Sequence, residues 1–341
     1  MSRYRKIADN ILVNEDSLHK FKNLECAIFD CDGTLVDIRN SYNACIKKTA
    51  GFMLERLIGG KQWYDLVSDE LILKFRMSGG FNKDTDTSYA SILSAFAAKT
   101  NDVELARKFV LNIATHADEL GLRSVEQYLS DNGYSGLVKK VKEELNYPGL
   151  VGSSLLSTVF DEFFYGKELF IKLYGLQPRF NNSNGFIEKD DVVVSYKSTD
   201  DLSKMFNGKI AIVSGRSKLA TEYALKPILH HFNIDASVFI EDEEKRVMKD
   251  NLQIRVNKPE PYALLKAIKA LNAKSALSVG DSAEDIITAK KACENVTTVF
   301  CGVYGIGIDI DALLKMFMER GADAIVESIN LLPTFLKSIM K

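Results

Sequence analysis

The 341-residue sequence predicts an α/β fold: a doubly wound, Rossmann-like parallel sheet with an inserted all-α domain. Short apolar runs without polar alternation recur along the chain, as is typical of strands buried on both faces of a parallel sheet. These runs lie at residues 26–29, 210–213, 237–240, 276–279, 296–300 and 324–326. Helical segments such as 261–271 and 283–292 lie between the later runs, and this alternation indicates doubly wound packing.

The inserted domain is predicted from a long interval with a different pattern. From about Asn40 to Asn181 the apolar residues follow helical periodicity, for example in SYNACIKKTAGFMLERLI and VELARKFVLNIATHADEL. The interval ends in PRFNNSNG, whose turn-forming residues suit a linker back to the sheet. We therefore predict an N-terminal extension over 1–20, an α/β core over 21–39 and 186–341, and a helical domain over 40–185.

The amino-acid composition indicates which binding partners and which cellular compartment to expect. The net charge of -2 argues against a nucleic-acid partner, because such a protein must neutralise many phosphates. The five scattered cysteines form no C-x-x-C pair and are typical of reduced thiols in a cytoplasmic protein. No segment has the length or apolarity of a membrane span, so we expect no membrane partner. The charged run EDEEKR at 241–246 is predicted to be a solvated loop.

Polar residues follow several of the predicted strands. The stretch AIFDCDGTLVD ends the first strand on one aspartate and places a second aspartate two positions later. In an open parallel sheet, ligands bind beyond the carboxyl ends of the strands, so the loops that follow the strands should meet there. The polar residues at strand ends or helix starts are Asp30, Asp32, Ser214, Gly215, Lys258, Asp281 and Asp285.

This set of groups suits phosphoryl transfer. A carboxylate can act as a nucleophile and carry a transient aspartyl-phosphate. Clustered carboxylates repel one another and favour a hard cation with oxygen ligands, such as Mg²⁺. A lysine neutralises phosphate charge, while a serine and backbone N–H groups bind the phosphoryl oxygens.

Four segments carry a resemblance to a known family. DCDGTLVD, SGR, the Lys-Pro pair at 258–259 and GDSAED resemble, in this order, the four motifs of the haloacid dehalogenase superfamily of phosphohydrolases. The resemblance covers about residues 22–38 and 190–335. The inserted domain resembles, in position and helicity, the cap that follows the first motif in the phosphoglycolate-phosphatase-like branch.

The resemblance implies catalytic roles for four residues. Asp30 would be the nucleophile, and Asp32 the general acid that protonates the leaving oxygen and then the base that activates water. Ser214 would donate a hydrogen bond to the phosphoryl group, and Lys258 would neutralise its charge. Lys245, Arg246 and Lys249 remain alternatives for the cation, and a turn or capping pair remains an alternative for the two aspartates.

The resemblance also implies Mg²⁺ as the cofactor. Its ligands would be Asp30, Asp281, the main-chain carbonyl of Asp32, and Asp285, the last either directly or through water. A capping box formed with Ser282 is an alternative role for Asp285.

Substrate contacts are predicted in two places. Gly215 and Arg216 follow the second core strand, although an acidic neighbour is an alternative partner for the arginine. In the helical domain, the segment FRMSGGFNKDTDTSY offers Arg76, Gly80 and Asn82, with a solvated helix-to-helix turn as the alternative.

The sequence as a whole thus predicts a Mg²⁺-dependent phosphatase acting on a small phosphorylated metabolite, phosphoglycolate-like or a sugar phosphate. The helical cap would exclude water during transfer. We expect a cytoplasmic monomer or small homo-oligomer. A phosphomutase of the same fold, or a non-catalytic phospho-acceptor or scaffold, remains the alternative.

Overall fold

A mixed sheet forms the centre of the α/β part of the chain, in a computed structural model that describes residues 4–81, 83–307 and 309–340. The strands are β1 (Tyr4–Ala8), β2 (Ile11–Asn14), β3 (Cys26–Phe29), β4 (Val36–Asp37), β5 (Asp191–Val192), β6 (Ile210–Ser214), β7 (Val238–Phe239), β8 (Ser275–Gly280), β9 (Thr297–Val303) and β10 (Ala324–Val326). Eight of them form one sheet in the order β1-β2-β10-β9-β8-β3-β6-β7. From β10 to β7 every pairing is parallel, which confirms the predicted fold class.

The central strands are buried along their whole length. All residues of β3, β6 and β8 are buried, which agrees with their continuous apolar character in the sequence. Each of the six predicted strands is present, with bounds that differ by a few residues from the predicted ones. Strand β3 lies between β8 and β6, so the loop after β3 begins in the middle of the sheet.

The beginning of the chain is part of the sheet. β2 pairs antiparallel with β10, and β1 pairs antiparallel with β2 at the edge. Ile11 and Val13 are buried in this arrangement, whereas Arg5 and Lys6 of the edge strand are exposed. The described part of the segment predicted as an extension therefore adds two strands to the core.

The inserted part of the chain, within Ile38–Asp190, is a compact unit built from helices. Its α-helices are α1 (Ala44–Ile58), α2 (Asp69–Met77), α3 (Asp84–Ala97), α4 (Val103–Ala114), α5 (Leu122–Leu129), α6 (Ser135–Leu145) and α7 (Leu155–Tyr174). Short helices occupy Arg39–Asn43, Lys61–Asp65, Ser130–Tyr134 and Phe186–Lys189. The chain leaves the α/β unit after β4 and returns at β5, and these two strands pair antiparallel with Asp37 opposite Asp191. None of the helices in the described residues is long and apolar enough to cross a membrane.

Helices also follow the strands of the α/β unit. They are α8 (Tyr196–Met205), α9 (Lys218–Leu225), α10 (Ile240–Lys249), α11 (Tyr262–Ala270), α12 (Ala283–Cys293), α13 (Ile310–Glu319) and α14 (Leu332–Ile339). The prediction of a loop at 241–246 was wrong, because this charged run lies in α10. Acidic residues occupy its first turn and basic residues its last turn, and Lys245 pairs with Glu241 four residues earlier at 2.7 Å. Both features stabilise a helix.

We predict that Ile11→Ala lowers the free energy of unfolding by about 2–5 kcal/mol, because it removes a buried side chain from the β2–β10 pairing. Chemical denaturation measures this change. Arg5→Ala on exposed β1 serves as the control and should change stability by no more than about 0.5 kcal/mol. Equal stability of the two variants would show that β2 is not packed on the sheet in solution.

Candidate active site

Two aspartates lie side by side at the carboxyl edge of β3 and β8. The register pairs Phe29 with Val279, and the backbone N–H of Asp30 donates to the carbonyl of Val279 at 2.8 Å. Asp281 follows directly on the last residue of β8. Because both strands run in the same direction, their continuations bring the two carboxylates to the same edge of the sheet.

A buried lysine lies between two of the acidic residues. The Nζ of Lys258 is 2.6 Å from Oδ1 of Asp30 and 2.6 Å from Oδ1 of Asp285. The exposed fraction of each of these side chains is 10% or less. Since an isolated buried charge is very costly, the three groups stabilise one another.

Burial and the neighbouring charges shift the pKa values of this cluster. Burial, opposed by Lys258 and reinforced by Asp285 and Asp32, raises the pKa of Asp30 to about 7. For Lys258 burial lowers the pKa, but the carboxylates of Asp285 and Asp30 outweigh it, so its pKa lies above the ordinary value. The lysine therefore keeps its positive charge at neutral pH.

Asp285 uses its two carboxylate oxygens for different partners. Its Oδ2 accepts hydrogen bonds from the backbone N–H of Ser282 at 3.1 Å and from the Ser282 hydroxyl at 2.6 Å. The backbone N–H of Asp285 donates in turn to the Ser282 hydroxyl, which completes a capping box at the start of α12. Its Oδ1 remains directed at Lys258. The capping role predicted as an alternative is present, and it fixes the carboxylate inside the site.

The donor set fits a divalent cation. Oxygen atoms of Asp30, Asp281 and Asp285 lie within 4.8 Å of one another. Carboxylate oxygens are the ligands that Mg²⁺ prefers, and a cation there would offset the repulsion among the three acids. The side chain of Asp32 is directed elsewhere, since it pairs with Arg216. Metal ligation by Asp32 through its main-chain carbonyl stays a prediction.

Two glycines let the carboxylates of Asp281 and Asp285 lie directly against the backbone. A Cβ built on Gly33 would lie 2.0 Å from Oδ2 of Asp281, and one built on Gly280 would lie 2.4 Å from Cγ of Asp285. Gly33 also has a φ of +78°, a conformation that glycine adopts readily. Next to it, the hydroxyl of Thr34 is 3.5 Å from Oδ1 of Asp281. The sequence gave no sign of the contact between this Gly-Thr pair and Asp281.

The second strand-end segment, SGRS, places a buried arginine against Asp32. The Nε of Arg216 donates to Oδ1 of Asp32 at 2.5 Å. Ser214, the last residue of β6, is buried and accepts a hydrogen bond from the backbone N–H of Arg216 at 3.2 Å, whereas Gly215 is exposed. The acidic neighbour considered for Arg216 is thus Asp32. Phosphate contacts by Ser214 and Gly215 stay predictions.

The ion-pair partners of Lys245, Arg246 and Lys258 distinguish among these candidates for the phosphate-neutralising cation. Lys245 and Arg246 pair with Glu241 and Glu243 of their own helix, at 2.7 and 2.6 Å. Lys258 is the member of the candidate set that the structure places between Asp30 and Asp285.

The substrate contacts predicted in the helical unit stay predictions. Arg76 at the end of α2 forms an ion pair with Asp84 of α3 at 2.9 Å. Gly80 packs against backbone, since a Cβ there would lie 2.3 Å from the carbonyl oxygen of Asp118. Asn82 lies outside the described residues.

The chain combines an α/β sheet that has acidic groups at its carboxyl edge with a helical insertion after β4, and a comparison with known families assigns it to a class of hydrolases. The family model described as haloacid dehalogenase-like hydrolase matches residues 24–292, and the chain belongs to this family. The resemblance found in the sequence is thereby confirmed. No curated protein matches the chain.

Solved structures share the fold at low identity. Phosphatase Tt82 from Thermococcus thioreducens superposes with a TM-score of 0.52 and 23% identity, over 86% of this chain and 99% of the other. A target of the Northeast Structural Genomics Consortium superposes with a TM-score of 0.59 and 16% identity, over 93% of this chain and 99% of the other. At these identities the similarity establishes the fold alone.

We predict that Gly33→Ala weakens Mg²⁺ binding by about 10–100-fold, because the added methyl group displaces the carboxylate of Asp281. Isothermal titration of the purified protein with Mg²⁺ measures the change. Gly208→Ala is the matched control: Gly208 has a φ of +76°, and a Cβ there meets nothing within 4 Å. It carries the same backbone strain without touching the site. Equal Mg²⁺ affinity of the two variants would remove Asp281 from the set of metal ligands.

Proposed function

We propose that this hydrolase is a Mg²⁺-dependent phosphatase that hydrolyses a small phosphomonoester through an aspartyl-phosphate. The observation that carries the proposal is Lys258 held 2.6 Å from both Asp30 and Asp285, with Asp281 in the same acidic cluster. One strand end thus offers a carboxylate nucleophile next to a fixed positive charge. This is the combination that phosphoryl transfer to a carboxylate requires.

In the first half-reaction a carboxylate oxygen of Asp30 attacks the phosphorus atom. The bond between phosphorus and the ester oxygen breaks, and that oxygen keeps the electron pair and takes a proton from the carboxyl group of Asp32. An alcohol leaves, and the phosphoryl group stays on Asp30. The ammonium of Lys258, within 2.6 Å of Asp30, offsets the negative charge of the phosphoryl oxygens.

In the second half-reaction the ionised carboxylate of Asp32 accepts a proton from water. The water oxygen attacks phosphorus, and the bond from phosphorus to the Asp30 oxygen breaks. Inorganic phosphate leaves, and both aspartates return to their starting states. The same side chain therefore serves as acid and then as base, so no further titratable group is required.

The cation would be held by the side chains of Asp30, Asp281 and Asp285 and by the main-chain carbonyl of Asp32. When bound, Mg²⁺ supplies positive charge that offsets the acidic side chains and the phosphate oxygens. The cluster of three carboxylates supports this assignment, since their oxygens already lie within 4.8 Å of one another.

Substrate recognition is assigned to two groups of residues. Ser214, the last residue of β6, and Gly215 directly after it are proposed to bind the phosphoryl group of the substrate. Arg76, Gly80 and Asn82 of the helical unit are proposed to contact its organic part. A protein with the same fold, phosphatase Tt82, is named a phosphatase, which supports the proposed activity. We propose a small phosphorylated metabolite as the substrate, and a cytoplasmic monomer or small homo-oligomer as the working form.

We predict that Asp30→Asn lowers Mg²⁺-dependent release of inorganic phosphate by about 10³-fold or more, because the amide is a poor nucleophile. A panel of phosphomonoesters, including phosphoglycolate and sugar phosphates, is assayed with Mg²⁺ and with excess chelator. Mass spectrometry of the quenched wild-type enzyme should detect the phosphorylated aspartate.

Asp69→Asn is the matched control, because Asp69 also forms an ion pair with a lysine, Lys47, at 2.7 Å. It should retain full activity. Phosphate release that is independent of metal, or that survives at full rate in Asp30→Asn, would refute the mechanism. A product in which phosphate has moved to another position of the sugar, with little inorganic phosphate, would identify a phosphomutase instead.

A further inference from the structure

Arg216 is the largest charged side chain buried in the α/β unit next to the site. Its side chain has no exposed surface, and its Nε donates to Oδ1 of Asp32 at 2.5 Å. The side chain of Asp32 is 22% exposed. The carboxyl group is therefore bound to a buried cation, although the Asp32 side chain keeps some exposed surface.

The local backbone fixes the position of this arginine. Its N–H donates to the hydroxyl of Ser214 at the end of β6. The next residue, Ser217, caps α9 by accepting a hydrogen bond from the backbone N–H of Ala220 at 3.2 Å. Arg216 is thus held between the end of β6 and the start of α9, and β6 is paired with β3, the strand that precedes Asp32.

The orientation of Asp32 needs such a partner. The terminal torsion of an aspartate side chain has a broad energy minimum, so the carboxyl group turns easily when nothing holds it. A general acid must place its proton within hydrogen-bond reach of the leaving oxygen, and a displacement of about 1 Å costs on the order of 10²-fold in rate. A charged N–H donor is a strong restraint on one oxygen.

We propose that Arg216 is a positioning residue that orients Asp32 for proton transfer, in place of the direct phosphate contact predicted from the sequence. The Nε–H group holds Oδ1 of Asp32, and Oδ2 gives the proton to the leaving oxygen as the ester bond breaks. The ionised carboxylate that remains pairs with the guanidinium until it takes a proton from water. This inference rests on the proposed phosphatase function.

A comparison of leaving groups tests the inference. 4-Nitrophenolate leaves without much help from an acid, whereas phenolate requires protonation more strongly. We expect Arg216→Met to lower kcat/KM for phenyl phosphate by about 10²-fold and that for 4-nitrophenyl phosphate by a much smaller factor. The inhibition constant of inorganic phosphate should stay within about twofold of the wild-type value, since the arginine does not hold phosphate.

Controls separate positioning from a structural effect. Arg246→Met removes another arginine of the same unit, paired with Glu243 at 2.6 Å, and should preserve the ratio between the two substrates. Arg216→Lys keeps the charge without the Nε donor and should show an intermediate ratio. The double variant Arg216→Met/Asp32→Asn removes both charges of the pair and should show the same ratio as Asp32→Asn alone. It also provides a folded variant if Arg216→Met does not fold.

Other outcomes overturn the inference. An equal loss on both substrates together with weaker phosphate inhibition would make Arg216 a phosphate-binding residue. An unchanged ratio in Arg216→Met, or an additional change of ratio in the double variant, would also refute the positioning role. A wild-type enzyme that hydrolyses neither ester in the presence of Mg²⁺ would instead overturn the proposed function, and this inference with it.

Discussion

The ammonium group of Lys258 lies 2.6 Å from carboxylate oxygens of both Asp30 and Asp285, and this buried interaction joins three separate parts of the chain. Asp30 comes from the end of β3, Asp285 from the first turn of α12, and Lys258 from the segment before α11. Removing the lysine would leave two buried carboxylates without a positive partner, at a cost of several kcal/mol. The parallel register of β3 and β8 brings the segments that carry Asp30 and Asp285 to one edge, so the site depends on the sheet as much as on its own residues.

The site also requires that the backbone lie close to the carboxylates of Asp281 and Asp285. Side chains at Gly33 or Gly280 would occupy the positions of the Asp281 and Asp285 carboxylates. The capping box of α12 then holds Asp285 by its other oxygen, so the orientation of that carboxylate is set before any ligand binds. Such rigid placement is what the proposed phosphatase needs, because charged groups that are already in position do not have to reorganise during the reaction.

The sequence predicted the parallel strands and the meeting of their loops, because buried strands carry continuous apolar runs and strand ends share one edge. It did not predict β1 and β2, which are short and antiparallel at the border of the sheet. It also assigned the charged run of α10 to a loop, although ion pairs along one helix face stabilise that segment as a helix. The partner of Arg216 was left open because the direction of that side chain depends on the turn between β6 and α9, which residue order alone does not specify.

The two carboxylates of the DCD segment pair with two different cations. Asp30 pairs with Lys258, which comes from the segment before α11, and Asp32 pairs with Arg216, which comes from the turn after β6. Aspartates two residues apart would repel each other if they shared one environment. Because each has its own cation, the two aspartates can take different tasks: Asp30 lies in the acidic cluster, whereas Asp32 is held by a buried guanidinium and is partly exposed. Two acidic residues directly after a buried strand are therefore tolerated here because two other segments of the chain supply one positive charge to each.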